Sequence, residues 1–302
     1  MAGPGAKTDA VRALDGRRRL VEDALGRHLP AEGEYPPLIN EALRYACLGG
    51  GKRLRPVLTM TAVEAVGGDP GSVLKAACAV EYVHCCSLVL DDLPFMDNAL
   101  MRLGRPALHR AFGVATSVLA ADALLTHTFR LVADNAVEVA ADGARTARAV
   151  RDLATVVGSF GMVGGQHVDL ESAGRGAVGP ATLEYVQTRK TGALFVAAAT
   201  IGCVLVGARR GDVDRLSEYA RNLGLAYQIV DDLLDAEGDP AVTGKDGGQD
   251  AGRMSFVTVH GADAARRAAA SLESAARRAL DGLEGDTAAL LSIVDRCAAR
   301  SS

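Results

Sequence analysis

Leu90-Asp91-Asp92-Leu93-Pro94-Phe95-Met96-Asp97-Asn98 reads as the end of an apolar helix that runs straight into carboxylates. Pro94 lacks an amide hydrogen and disfavours helix beyond Leu93, so Asp91 and Asp92 close the helix and the next turn brings Asp97 back toward them. A second acidic set, Asp231-Asp232-Leu233-Leu234-Asp235, lies far downstream. Asp231 and Asp235 are four apart, so a helix projects both from one face. Like charges this close repel unless a cation lies between them. Hard oxygen ligands that leave coordination positions free suit Mg²⁺ held jointly with substrate phosphates. The bland alternative is two solvated helix ends, but solvated ends do not emerge from Val89-Leu90 and Ile229-Val230.

Outward from these two stretches the chain keeps a helical pattern. Ala, Leu, Val, Arg and Glu recur at helical spacing, Gly and Pro punctuate them, and no sustained alternation suggests a sheet. The prediction is an all-α fold with helices over Asp9–His28, Pro36–Leu48, Arg55–Gly67, Pro70–Leu93, Thr116–Val137, Arg145–Gly164, Pro180–Ala208 and Asp212–Asp235, and two or three beyond Thr258. With no repeat and no dividing linker, residues 9–302 are expected to form one domain behind a disordered lead at 1–8. That lead has no apolar core of a signal peptide.

The 302 residues are 49% hydrophobic and 23% charged, enough apolar mass for a sizeable core. A net charge of −4, 4% aromatics and no Trp argue against a nucleic-acid partner. Six cysteines without CxxC spacing read as buried thiols of a reducing cytoplasm. Gly192–Gly207 is the most apolar stretch, but it is short of the roughly 20 residues of a membrane span and reads as a helix buried on all sides.

Basic and polar residues recur beside the acidic sets. Gly49-Gly50-Gly51-Lys52-Arg53-Leu54-Arg55-Pro56 places three cations beside flexible backbone that can wrap an anion, though it lacks the P-loop pattern. His84 precedes Asp91 by two helical turns and shares its face. Arg102, Arg105 and Arg110 follow Asp97. Gly161-Met162-Val163-Gly164-Gly165-Gln166-His167-Val168-Asp169 suggests close helix packing or a kink. Lys190-Thr191-Gly192 opens the apolar stretch, Tyr227-Gln228 lie one turn before Asp231, and Thr243-Gly244-Lys245 and Arg253 fall in a Gly-rich loop.

GGKRLRP, EYVHCCSLVLDDLPFMD, GMVGGQHVDLES, RKTGAL, LAYQIVDDLLD and TGKDGGQD stand in one order between Gly50 and about Gly261. In that order they resemble the trans-isoprenyl diphosphate synthases (polyprenyl synthetases) of the geranylgeranyl and farnesyl diphosphate synthase group. The resemblance implies a helical bundle around a deep central cavity, usually a homodimer. It also implies Mg²⁺-dependent head-to-tail condensation of an allylic diphosphate with isopentenyl diphosphate, releasing pyrophosphate. Asp91 and Asp97 match the ligands of two Mg²⁺ ions and Asp231 that of a third, with Asp92, Asp232 and Asp235 in support. Lys52, Arg55 and His84 match the isopentenyl diphosphate pocket. Arg102, Lys190, Thr191, Gln228 and Lys245 match the allylic diphosphate site.

The chemistry agrees with these residue types. Ionising a carbon–oxygen bond leaves an allylic cation and a highly charged pyrophosphate, which metals and fixed cations stabilise. The cation needs a dry pocket, which an Ala/Val/Leu interior supplies. Cys86 and Ser87, five and four positions before Asp91, are small where bulky aromatics stop growth in the family, favouring a twenty-carbon geranylgeranyl product over a fifteen-carbon farnesyl one. The pattern also breaks in places. Leu103 replaces the usual second arginine after the first acidic motif, which weakens isopentenyl diphosphate binding unless Arg105 or Arg110 compensates. Ala99, Leu100, Leu90 and Arg253 are further departures. The rival readings are a weak or inactive synthase-like subunit that regulates a partner, and a terpene cyclase, against which Lys52, Arg55 and His84 weigh.

Overall fold

The computed structural model describes residues 4–172, 179–237 and 255–300. The helices are α1 Pro4–His28, α2 Pro37–Cys47, α3 Leu54–Ala65, α4 Leu74–Asp91, α5 Leu108–Phe112, α6 Val114–Glu138, α7 Gly143–Val157, α8 Met162–Ser172, α9 Pro180–Val186, α10 Ala193–Leu205, α11 Arg210–Glu237, α12 Phe256–His260, α13 Ala262–Ala279 and α14 Ala288–Ala298. Among the described residues the only sheet is a hairpin, β1 Met101–Arg102 against β2 Arg105–Pro106. The fold is all-α, as the periodicity predicts.

Three boundaries differ from expectation. Helix α1 begins at Pro4, so residues 4–8 of the expected disordered lead are helical. The helix predicted over Arg145–Gly164 is two helices. Gly158 turns extended after α7, and a Cβ on Gly161 would lie 1.9 Å from the Val156 carbonyl oxygen, a path that a continuous helix does not take. The helix predicted over Pro180–Ala208 is interrupted by a π-helical turn, Gln187–Gly192, which adds one residue to the repeat and rotates α10 relative to α9.

Helices α4 and α10 form the centre. Leu194, Phe195, Ala198, Ala199, Cys203 and Leu205 are nearly inaccessible, so α10 is apolar all round because it is surrounded. Gly202 lets α3 close on it, since a Cβ there would meet Val63 Cγ2 at 2.8 Å. By length and composition Pro70–Asp91 and Pro180–Leu205 could each cross a membrane, but 67% and 61% of their apolar windows are buried inside the protein. All six cysteines are free and buried.

Candidate active site

The end of α4 builds the first acidic set as the proline implied. The helix stops at Asp91, and the Asp97 amide donates to the Asp91 carbonyl at 2.9 Å, drawing the third aspartate back. Asn98 takes a left-handed conformation, φ +48°, and its amide reaches the Leu93 carbonyl at 3.0 Å. The two adjacent carboxylates diverge in environment. Asp92 is 2% exposed and is forked by Arg102, whose Nε lies 3.1 and 3.2 Å from its two oxygens and whose Nη2 also donates to it. Asp91 has no such fork. Burial, opposed by Lys190 and reinforced by Asp97, pushes its carboxyl up to about 6.

The second set divides the same way. Asp232 accepts from Gln228 Nε2 at 2.9 Å, Gln187 Nε2 at 3.2 Å and the Phe256 amide at 2.7 Å. It ties α11 to the π-turn and to the start of α12. Asp231 instead faces Arg300, just beyond α14, at 2.5 Å, and Arg300 also lies 4.6 Å over the Tyr227 ring. Asp235 is on the same face of α11 one turn on and adds to the repulsion felt by Asp232.

Between the two sets stands the π-turn. Lys190 Nζ donates to Asp169 of α8 at 2.7 Å and acts electrostatically on Asp91. Thr191 Oγ1 donates to Gln228 Oε1 at 3.0 Å, which completes a chain Thr191–Gln228–Asp232–Gln187. Helix α8 presses on this turn through Gly165, where a Cβ would lie 2.4 Å from the Lys190 nitrogen. The extra residue of the π-turn thus aims Lys190 at the first set and Thr191 at the second.

A cavity of about 360 Å³ opens beside Asp92 and is lined by Lys52, Arg55, His84, Arg102, Arg105 and Tyr227, among others. Gly50 and Gly51, at φ +93° and +125°, form its rim in backbone that only glycine adopts freely. The three cations of the glycine-rich stretch are not equivalent. Arg53 is buried and spent on Glu22, Glu81 and the Cys47 carbonyl at 2.8 to 3.2 Å. Lys52 and Arg55 have no carboxylate partner among the described residues. Lys52 approaches the Tyr227 hydroxyl at 3.4 Å, while Arg55 lies 4.8 Å over the Phe195 ring with its Nε buried and unpartnered. Burial, with Arg55, Arg102 and Arg53 nearby, holds the His84 imidazole well below its ordinary range, so it is neutral at pH 7.

The expected site residues therefore converge, with two qualifications. Lys245 lies outside the described residues. Cys86 and Ser87 are not among the residues lining this cavity: Cys86 is 6% exposed, and the Ser87 hydroxyl donates to the His84 carbonyl at 2.8 Å. Sequence reasoning missed Gln187 and Arg300. A glutamine three residues before a lysine carries no signal, and Arg300 is one of many C-terminal arginines, 69 positions from Asp231.

The family model "Polyprenyl synthetase" matches residues 36–291. The chain belongs to the polyprenyl synthetase family. As a family member it is a prenyltransferase that joins isopentenyl and allylic diphosphates. Over 291 residues this synthase is 39% identical to "Heterodimeric geranylgeranyl pyrophosphate synthase large subunit 1, chloroplastic" of Arabidopsis thaliana, covering 95% of this chain and 78% of that one. Its fold superposes on geranylgeranyl pyrophosphate synthetase from Pyrococcus horikoshii Ot3 with a TM-score of 0.87 at 27% identity, covering 98% of each chain. It superposes on a geranyltransferase from Helicobacter pylori complexed with magnesium and isoprenyl diphosphate with a TM-score of 0.82 at 26% identity, covering 98% of this chain and 97% of that one. The donor set of this synthase fits a hard divalent cation. Asp91 and Asp97 supply carboxylate oxygens, and the burial and repulsion that raise the Asp91 carboxyl are relieved by such an ion.

Proposed function

We propose that the enzyme elongates an allylic diphosphate with isopentenyl diphosphate to geranylgeranyl diphosphate, using Mg²⁺ held by Asp91, Asp97 and Asp231, three ions per site. The observation that carries this reading is the cavity in which Lys52, Arg55 and Arg105 lack carboxylate partners among the described residues, placed beside Asp92 of the first aspartate set, with the π-turn reaching the first set through Lys190 and the second through Thr191 and Gln228. Unpaired cations in a partly desolvated hollow are costly alone and complementary to a diphosphate. The cavity suits isopentenyl diphosphate, and the Lys190–Thr191–Gln228 arc suits the allylic diphosphate. When bound, Mg²⁺ supplies positive charge to the departing pyrophosphate.

The protein's own part is positioning and exclusion. Lys190 and Arg102 hold fixed positive charge where negative charge develops on the leaving group. The neutral His84 offers an N–H to the isopentenyl diphosphate. The allylic carbon–oxygen bond breaks with its electrons leaving on pyrophosphate, the terminal carbon of the isopentenyl double bond bonds to the allylic carbon and leaves a cation at the neighbouring tertiary carbon, and the adjacent C2 loses a proton to the departing pyrophosphate as its C–H electrons form the new double bond. Packed α4 and α10 keep water from the cation.

Geranylgeranyl rather than farnesyl is supported by the small Cys86 and Ser87 and by the names of the Arabidopsis thaliana relatives. A homodimer is supported by the exposed apolar face of α6, with Val114, Val118 and Leu119 at 40%, 41% and 61% exposure. A cytoplasmic location is supported by six unpaired thiols. The rival reading, a weak synthase-like subunit serving a partner, is favoured by Leu103. Incubation of the purified protein with Mg²⁺, isopentenyl diphosphate and each allylic starter, followed by mass spectrometry, decides between them. A twenty-carbon diphosphate supports the proposal, and no elongated product from any starter overturns it.

A further inference from the structure

The hairpin after the first acidic set places a second arginine on the cavity wall. Its register pairs Arg102 directly with Arg105 across the turn Leu103-Gly104, whose φ values are +51° and +73°. Both positive values match a type I′ turn, which keeps the two strands in tight register. Directly opposed residues project from the same face, so both guanidinium groups point to one side. Arg102 is neutralised by Asp92. No carboxylate pairs with Arg105 among the described residues.

Arg105 is nonetheless held. Its Cζ lies 3.7 Å from the centroid of the Tyr45 ring, and that ring is fixed by a 2.9 Å hydrogen bond from its hydroxyl to the Pro106 carbonyl and by edge contact with Phe112 at 5.2 Å. Its Nη1 lies 3.2 Å from the position that a Cβ on Gly49 would occupy. Stacking uses the flat face of a guanidinium and leaves its in-plane N–H donors free for a planar, bidentate anion contact. Arg110, by contrast, donates to Asn98 at 3.3 Å and does not line the cavity. Leu103, in the turn, is 55% exposed and has no donor to offer.

We infer that Arg105 is a binding residue for the diphosphate of isopentenyl diphosphate, pre-set by Tyr45 and Gly49 and acting with Lys52 and Arg55. This inference rests on the cavity being the isopentenyl diphosphate site. An anion there relieves the mutual repulsion of three unpaired cations. Arg105 thereby supplies the donor that Leu103 lacks.

The test uses the full chain and three substitutions: Arg105→Leu, Arg105→Lys and Gly49→Ala. Arg105→Leu is expected to raise KM for isopentenyl diphosphate about tenfold or more, the usual effect of losing a charged hydrogen bond, with kcat and KM for the allylic diphosphate nearly unchanged. Arg105→Lys keeps charge without the fork and recovers part of the loss. Gly49→Ala crowds Nη1 without changing charge and raises the same KM by a smaller factor. Calorimetric titration with isopentenyl diphosphate in the absence of allylic substrate reports binding without turnover. Equal affinity in wild type and Arg105→Leu, or an equal rise in both KM values, overturns the inference. If wild type elongates no starter, the functional reading fails, and the titration alone still judges Arg105. Should Arg105→Leu fail to fold, the Lys and Ala variants carry the comparison.

Discussion

At the scale of single residues, neighbouring aspartates have opposite fates, and only part of that is legible in the sequence. Pro94 announces the turn that returns Asp97, because a missing amide is a local fact. Which of Asp91 and Asp92 is spent on Arg102 depends on a hairpin ten residues away. Likewise Arg53 reads as one of three equivalent cations until Glu22 and Glu81, 31 and 28 positions off, claim it. The free-standing Asp91 has a measurable consequence. Its carboxyl titrates near 6 in the folded protein and near 3.8 when unfolded, so the unfolded state loses its proton first as pH rises. Stability without metal therefore falls between about pH 4 and 6 through this group. Asp91→Asn removes that loss and is expected to raise metal-free stability at pH 7.5 by about 3 kcal/mol, read by urea unfolding at pH 4 and 7.5, while condensation activity collapses. A variant no more stable than wild type at pH 7.5 shows that Asp91 is not repelled as described. Cys86→Phe tests the small, buried residue one turn and a half before Asp91. Overpacking there costs about 1 to 3 kcal/mol, and the product is expected to shift from twenty carbons toward fifteen, read by mass spectrometry of the reaction.

At the scale of elements, helix existence is legible and helix irregularity is not. Apolar periodicity gives α4, α6 and α11 within a few residues of where they lie. The π-turn at Gln187–Gly192 leaves no mark in a periodicity argument, since its one extra residue falls in a short polar stretch between two apolar segments. The three glycines near Gly165 do signal close packing, but their partner is visible only in the fold. Gly165→Ala places a methyl 2.4 Å from the Lys190 nitrogen, backbone against backbone, so neither side yields cheaply. The expected outcome is a loss of about 1 to 3 kcal/mol together with a higher KM for the allylic diphosphate and an unchanged KM for isopentenyl diphosphate. Gly211→Ala, with open space around it, serves as the control and leaves both constants alone. A fall in stability without that split between substrates would make Gly165 a packing residue with no part in aiming Lys190.

At the scale of the whole molecule, the site is a convergence of α3, α4, the hairpin, the π-turn, α11 and the end of α14. Sequence order shows the first five through their motifs. The sixth is invisible because Arg300 reaches Asp231 only once α14 has packed against α1 and α11. The contact places a guanidinium on one of the carboxylates proposed for Mg²⁺, and one carboxylate oxygen cannot serve both at full strength. In metal-free protein the pair, with side chains 26% and 33% exposed, is worth about 1 kcal/mol. Arg300→Ala forfeits that and leaves Asp231 freer, so its unfolding midpoint is lower than wild type without Mg²⁺. With saturating Mg²⁺ and pyrophosphate the cations take over the role of the arginine, and the gap between variant and wild type closes. The Mg²⁺ concentration needed for half-maximal stabilisation is lower in the variant, because no side chain has to be displaced. Thermal unfolding across a Mg²⁺ titration measures both quantities. A gap that persists at saturating Mg²⁺, with the same half-maximal concentration in both proteins, would mean that arginine and metal use Asp231 without competing.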